Sequence, residues 1–157
     1  MPGFDALYKQ TVTLFNRVVD QDGDIIWYPR VLKGVHLITD QTAVWNSYGG
    51  QRSDNIRLHV RYSGSQDNPI IIGKKYVTPK EWKRLESVEG FITFGYGNED
   101  DFDFFIEGVY EAGGAVNDSE FPRSGFYNYM NKQYDKVFAI TQVSKYNLIP
   151  HFEIMAR

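Results

Sequence analysis

Cysteine is absent from the 157 residues. That excludes a disulfide scaffold, a zinc ribbon, an iron–sulfur centre and a thiol nucleophile. No apolar run approaches the roughly 18 residues of a membrane-spanning helix. The opening Met1-Pro-Gly-Phe-Asp5 has neither a basic n-region nor an apolar h-region, so no secretory signal is expected. Proline is scarce, with 6 residues against 14 glycines. Aromatic side chains are in excess, with 11 Tyr, 11 Phe and 3 Trp, which favours strands and turns over helices. A chain of this length buries enough surface to fold as one domain without a covalent or metal staple.

Basic residues are missing from one long stretch. Residues 85–122 hold no Lys or Arg but 10 Asp+Glu. Residues 1–84 carry 12 Lys+Arg against 8 acids, and residues 123–157 carry 5 against 2. The formal net charge of −3 therefore conceals a strongly acidic middle. Ten acids with no cation among them resist burial, so this stretch is expected to lie outside the core as a surface.

Two-residue alternation dominates elsewhere. Val12 and Leu14 alternate with Thr11, Thr13 and Phe15, and Asp22-Gly23 is a hairpin dipeptide. Ile25-Ile-Trp-Tyr28 returns and is expected to stop at Pro29. Residues 31–38 read as a third strand with a bulge at Gly34. Residues 39–55 read as loop. Ile56-Arg-Leu-His-Val-Arg-Tyr62 alternates strictly, with Ile56, Leu58, Val60 and Tyr62 in and Arg57, His59 and Arg61 out. A short hairpin follows around Gly73-Lys74-Lys75. Thr78-Pro79-Lys80-Glu81 has the form of a capping box with proline at the first helical position. Ser124 opens a short amphipathic segment through Tyr127 and Met130. Residues 91–94, 101–106, 136–143 and 151–154 are further strands. The pattern predicts a mainly β fold: a small antiparallel β-barrel or sandwich with one or two short helices. It forms a single domain over 1–157, with an acidic insertion at about 78–133. The core is expected to include Val12, Leu14, Ile56, Leu58, Val60, Val137 or Phe138, and Ile140.

Motifs for chemistry are few. His36, His59 and His151 each sit on a strand, and no pair has a metal spacing within one element. A lone strand histidine is ordinarily structural, so no metal and no cofactor are expected. Asp20, Asp22 and Asp24 imitate the start of a calcium loop, but the glycine is misplaced and no glutamate closes it. Glu99, Asp100, Asp101 and Asp103 have the composition to hold a hard cation or supply paired carboxylates, or to form a solvated loop. Gly95-Tyr96-Gly97-Asn98 resembles a phosphate loop but has no lysine, and acids follow at once. Ser53, Ser63 and Ser144 lack a nucleophile frame. Arg57 and Arg61, with Arg52, Lys74 and Lys75, form at most a modest basic patch. No enzymatic residues are assigned.

The series Thr11-Val-Thr-Leu-Phe-Asn-Arg17, Asp22-Gly23, Trp27, Val31 to Leu37 and Arg57-Leu-His-Val-Arg-Tyr62, with Asp135-Lys-Val-Phe-Ala-Ile-Thr-Gln-Val143 near the end, resembles the head-closure and head–tail connector (neck) proteins of tailed phages. The whole chain also resembles uncharacterised proteins of phage and prophage structural-gene clusters. The resemblance implies a small β-barrel with no catalysis of its own. It implies a virion structural protein, made in the bacterial host cytoplasm, that forms a ring with itself and joins portal or adaptor to tail. Packaged DNA would be near and no membrane involved. The stretch 78–133 departs from the pattern of these shorter proteins.

On that view, protein contacts are expected from Glu99, Asp100, Asp101 and Asp103 with the interleaved Phe102 and Phe104, against a neighbour's Arg57 and Arg61. A second placement puts the acids along a lumen. A second functional class, from the exposed aromatics, is a β-sandwich module binding a ligand such as a carbohydrate.

Overall fold

The computed structural model describes residues 7–39, 56–97, 101–121 and 123–157. Two long strands open the fold, β1 (Gln10–Val19) and β2 (Ile25–Thr39). They form the expected hairpin around Gly23, which takes a φ of 83°. The alternation predicts a break at Pro29, but β2 runs straight through it, with Pro29 facing Phe15. The far edge of β2 is paired only at Ile26–Trp27 and again from His36. Pro29 lies between, where no neighbouring strand asks for an N–H. The bulge at Gly34 is present. Gln10 faces Val35 while Thr11 faces Lys33, so Gly34 is the extra residue, at a φ of 71°.

Next come β3 (Ile56–Arg61), β4 (Ser63–Gly64), β5 (Pro69–Ile71) and β6 (Lys74–Tyr76). The β5–β6 turn sits at Ile72-Gly73, both at positive φ (50° and 74°), slightly ahead of the expected position. Helix α1 (Pro79–Trp82) starts at the expected capping box: the Thr78 side chain accepts from Glu81 N, and the Glu81 carboxylate accepts from Thr78 N. Strands β7 (Phe91–Ile92), β8 (Phe104–Glu107) and β9 (Val116–Asn117) follow. A 3₁₀ turn at Asp118–Glu120 and helix α2 (Gly125–Gln133) lead into β10 (Val137–Tyr146) and β11 (His151–Ala156).

Strands β1, β8, β10, β11, β3 and β2 pair in that order, and β2 pairs back onto β1. Every pairing in this ring is antiparallel, so it is a closed six-stranded barrel. Closure leaves the wall without a free edge. Inward residues fill the barrel: Val12, Leu14, Leu32, Leu58, Val60, Phe105, Ile140 and Ile154 form one buried cluster. The second sheet, β4-β5-β6-β7, adds Ile71 and Ile92 to it. Tyr76 and Phe94 pack tilted against Phe152 at 4.5 and 5.3 Å, at the end where β3 stops and β11 begins.

A second cluster lies on the outside of the wall. Phe15 and Trp27 of the first hairpin, Phe104 and Ile106 of β8, and Val137 of β10 point outward and are buried under Phe126 and Met130 of α2 and Val116 of β9. Here the structure corrects the reading of the acidic stretch. Residues 85–122 were expected outside the core, yet they supply β8, a barrel strand buried on both faces. The region 78–133 is therefore not wholly an insertion. Of the two alternatives for the core, Phe138 packs against the interior, as one of them required, and Val137 belongs to the outer cluster.

Candidate functional site: a histidine row on the open face of the barrel

The wall opposite α2 is built from β2, β3, β11 and β10. Strand β3 shows why this face stays wet. Ile56, Leu58 and Val60 are buried, while Arg57 and Arg61 are exposed and His59 is partly buried. Pairing register does the rest. His36 stands directly opposite His59, and His59 directly opposite Glu153. His151, two residues before Glu153, shares its face. The three histidines, dispersed in the sequence, thus form a row across three adjacent strands. Ring centroids of His36 and His59 are 5.8 Å apart, and those of His59 and His151 are 5.3 Å apart and nearly parallel. Tyr146 of β10 continues the stack on His151 at 5.0 Å, and Tyr8 flanks His36 at 6.0 Å.

The electrostatics favour a neutral His59. Burial depresses the His59 pKa; Glu153 pulls the other way, while His151, His36 and Arg57 add to the depression. His151 Nδ1 lies 2.6 Å from the Ile149 carbonyl oxygen. A carbonyl only accepts, so Nδ1 carries the proton and Nε2 keeps its lone pair. One potential ligand atom from each of His59, His151 and Glu153 lies within 4.8 Å of the others. Sequence spacing offers only the His151–Glu153 pair on one strand; cross-strand register adds His59 and completes the trio.

The expected contact residues are distributed differently. Glu99 and Asp100 lie outside the described residues. Asp101 is held within the chain, by Arg17 at 3.2 Å and by Lys83. Glu107 pairs with Lys136 at 2.9 Å. Phe102 is partly buried, edge-on to Tyr127 at 4.9 Å. Phe104 is fully buried, stacked on Phe15 at 4.8 Å. Neither Phe104 nor Asp103 is available to a partner. Arg57 and Arg61 are exposed as expected, with the Arg61 guanidinium 4.4 Å over the Tyr8 ring.

Asp103 is an internal brace, 3% exposed. Its carboxylate accepts from Arg17 N and Asn16 Nδ2 at 2.9 Å and from Gly95 N at 2.6 Å. Burial pushes its pKa up to about 6 against the pull of these donors. Gly95 is required at that spot, since a Cβ there would lie 2.9 Å from the Asp103 carboxylate. Asp118, another acid of the stretch, accepts from Trp27 Nε1 and Phe126 N at 2.9 Å and so caps α2 from a distance.

A model of a family of unknown function (DUF6751) matches residues 7–157. The chain belongs to that family. The match spans every strand and helix named above. No curated protein and no solved structure matches the chain. Among the described residues no helix is long and apolar enough to cross a membrane.

One more surface stands out. The β10–β11 turn carries Leu148 at 98% exposure, with Ile149 and Tyr146 about half exposed (47% and 46%).

Proposed function

We propose that this member of the family is a non-enzymatic structural subunit that closes into a ring with copies of itself. In this reading it works at the neck of a tailed-phage virion, between portal or adaptor and tail, with packaged DNA nearby. The single observation that carries the assembly is the apolar tip of the β10–β11 hairpin. β11 is paired to β3 up to His151 and to β10 up to Tyr146, so the tip projects from a paired wall. A leucine held in water forfeits about 1.5–3 kcal/mol that burial would return. A head-to-tail contact, in which Leu148 enters the next copy, closes a ring when the rotation per subunit divides a full turn. Asp101 and Glu107 are already paired within the chain, which favours an apolar contact over the acidic one expected from composition.

Light scattering and negative-stain imaging of the purified chain test the reading. Wild type should form rings above a threshold concentration, alone or with portal and tail proteins. Leu148→Asp should stay a folded monomer. A wild-type chain that remains monomeric under all these conditions overturns it.

A further inference from the structure

We propose that His59, His151 and Glu153 form a surface site for a divalent transition-metal ion of the zinc class. The inference is independent of the ring reading and rests on three observations of the open face.

The donor set is the first. Two imidazoles and a carboxylate suit zinc and its neighbours, whereas calcium and magnesium prefer oxygen alone. Two histidines and one glutamate leave a fourth position for water or for a donor from another molecule. Placement is the second. The three donors come from adjacent strands of a closed barrel, with His59 directly opposite Glu153, so the backbone holds their Cβ atoms near one another without a loop. Their donor atoms lie within 4.8 Å. Bonds of about 2.0–2.2 Å at tetrahedral angles need donors about 3.3–3.5 Å apart. Small rotations of partly buried side chains cover that difference while the strands stay fixed.

The third observation is the support around the donors. Metal-binding histidines commonly donate their second ring N–H to a carbonyl or carboxylate, which sets tautomer and ring orientation. His151 already does so, to the Ile149 carbonyl at 2.6 Å, and its ring is sandwiched between His59 and Tyr146. The nitrogen left with a lone pair is the one a metal requires. Glu153 supplies the negative charge that an incoming cation needs.

The experiment uses the full chain without a polyhistidine tag, stripped with chelator, and titrated with Zn²⁺ by calorimetry and with Co²⁺ by visible absorption. Expected are one zinc per chain, a thermal midpoint that rises with zinc and falls back with chelator, and the visible bands of four-coordinate Co²⁺. Glu153→Gln keeps the size of the side chain and should preserve the fold. It should weaken zinc by at least about tenfold, the low end of what even an outer-sphere partner contributes. His151→Gln should do the same and abolish the Co²⁺ bands. Absence of stoichiometric zinc binding by wild type overturns the proposal, as does unchanged affinity in a folded Glu153→Gln or His151→Gln chain.

Discussion

The barrel has two outer faces that share a wall and are built in opposite ways. Over β1, β8 and the start of β2, outward side chains are Phe15, Trp27 and Phe104, and α2 covers them. Over β3, β11 and the end of β2 they are Arg57, His59, Arg61, His36 and Glu153, with no helix above them among the described residues. A strand under a roof is apolar on both faces, as β8 is; a strand facing water alternates, as β3 does. The inner halves of the two walls are alike, so what distinguishes stability from function in this molecule is the outward position of each strand.

The roofed face should be the more sensitive to truncation. Phe104 stacks on Phe15 at 4.8 Å and meets Trp27 edge-on at 5.0 Å. Phe104→Ala should cost about 3–5 kcal/mol in urea unfolding, the usual range for a fully buried phenylalanine. The same measurement on His59→Ala should lose far less. Equal losses would mean that α2 is not a true roof.

A second contrast lies in pH. The folded-state pKa of Asp103 is raised to about 6 from 3.8 by burial. Its native form binds a proton where the unfolded form does not, so this group's contribution to stability is full below 3.8. It falls as pH rises to 6 and is then flat. The loss is about 3 kcal/mol at 1.36 kcal/mol per pH unit. The depressed pKa of His59 has the opposite sign: its contribution is full above the ordinary imidazole value and declines as pH falls through it. Unfolding free energies from pH 4 to 8 should therefore dip near 6. Asp103→Asn should remove the acidic limb of the dip, and His59→Gln the upper limb.

The smallest covering element is α1, whose Trp82 is buried and donates from Nε1 to the Arg17 carbonyl at 2.9 Å. Thr78→Ala removes the capping box and should cost about 1 kcal/mol by thermal or urea unfolding. Thr78→Ser should restore most of it.

What could be read in advance followed from local chemistry. The hairpin at Gly23, the bulge at Gly34, the capping box at Thr78 and the alternation of 56–62 are each fixed by neighbours a few residues away, and each appears in the structure. The acidic stretch was misjudged because its partners are remote. Arg17, Lys83 and Lys136 neutralise Asp101 and Glu107 from other segments, and backbone N–H groups from β1 and Gly95 hold Asp103. Pro29 misled because its consequence depends on which strand edge is unpaired. The histidine row was invisible for the same reason. Register between β2, β3 and β11 is a tertiary fact, and the sequence distance between His36 and His151 contains no trace of it.

Paired substitutions put the two faces on one scale. Phe15 and Phe104 stack at 4.8 Å with 19° between planes, under cover of α2. His59 and His151 stack at 5.3 Å with 14°, on the open wall. The ring geometries are nearly the same, so a difference in coupling reports the surroundings rather than the contact. A buried aromatic pair contributes about 0.5–1.5 kcal/mol beyond its area. A cross-strand pair on a wet face contributes about 0.2–1 kcal/mol. Double-mutant cycles to alanine at pH 8, in chelator, should therefore give a larger coupling for the phenylalanines than for the histidines. A histidine coupling that equals the phenylalanine one would show that the open wall is as dry as the roofed one.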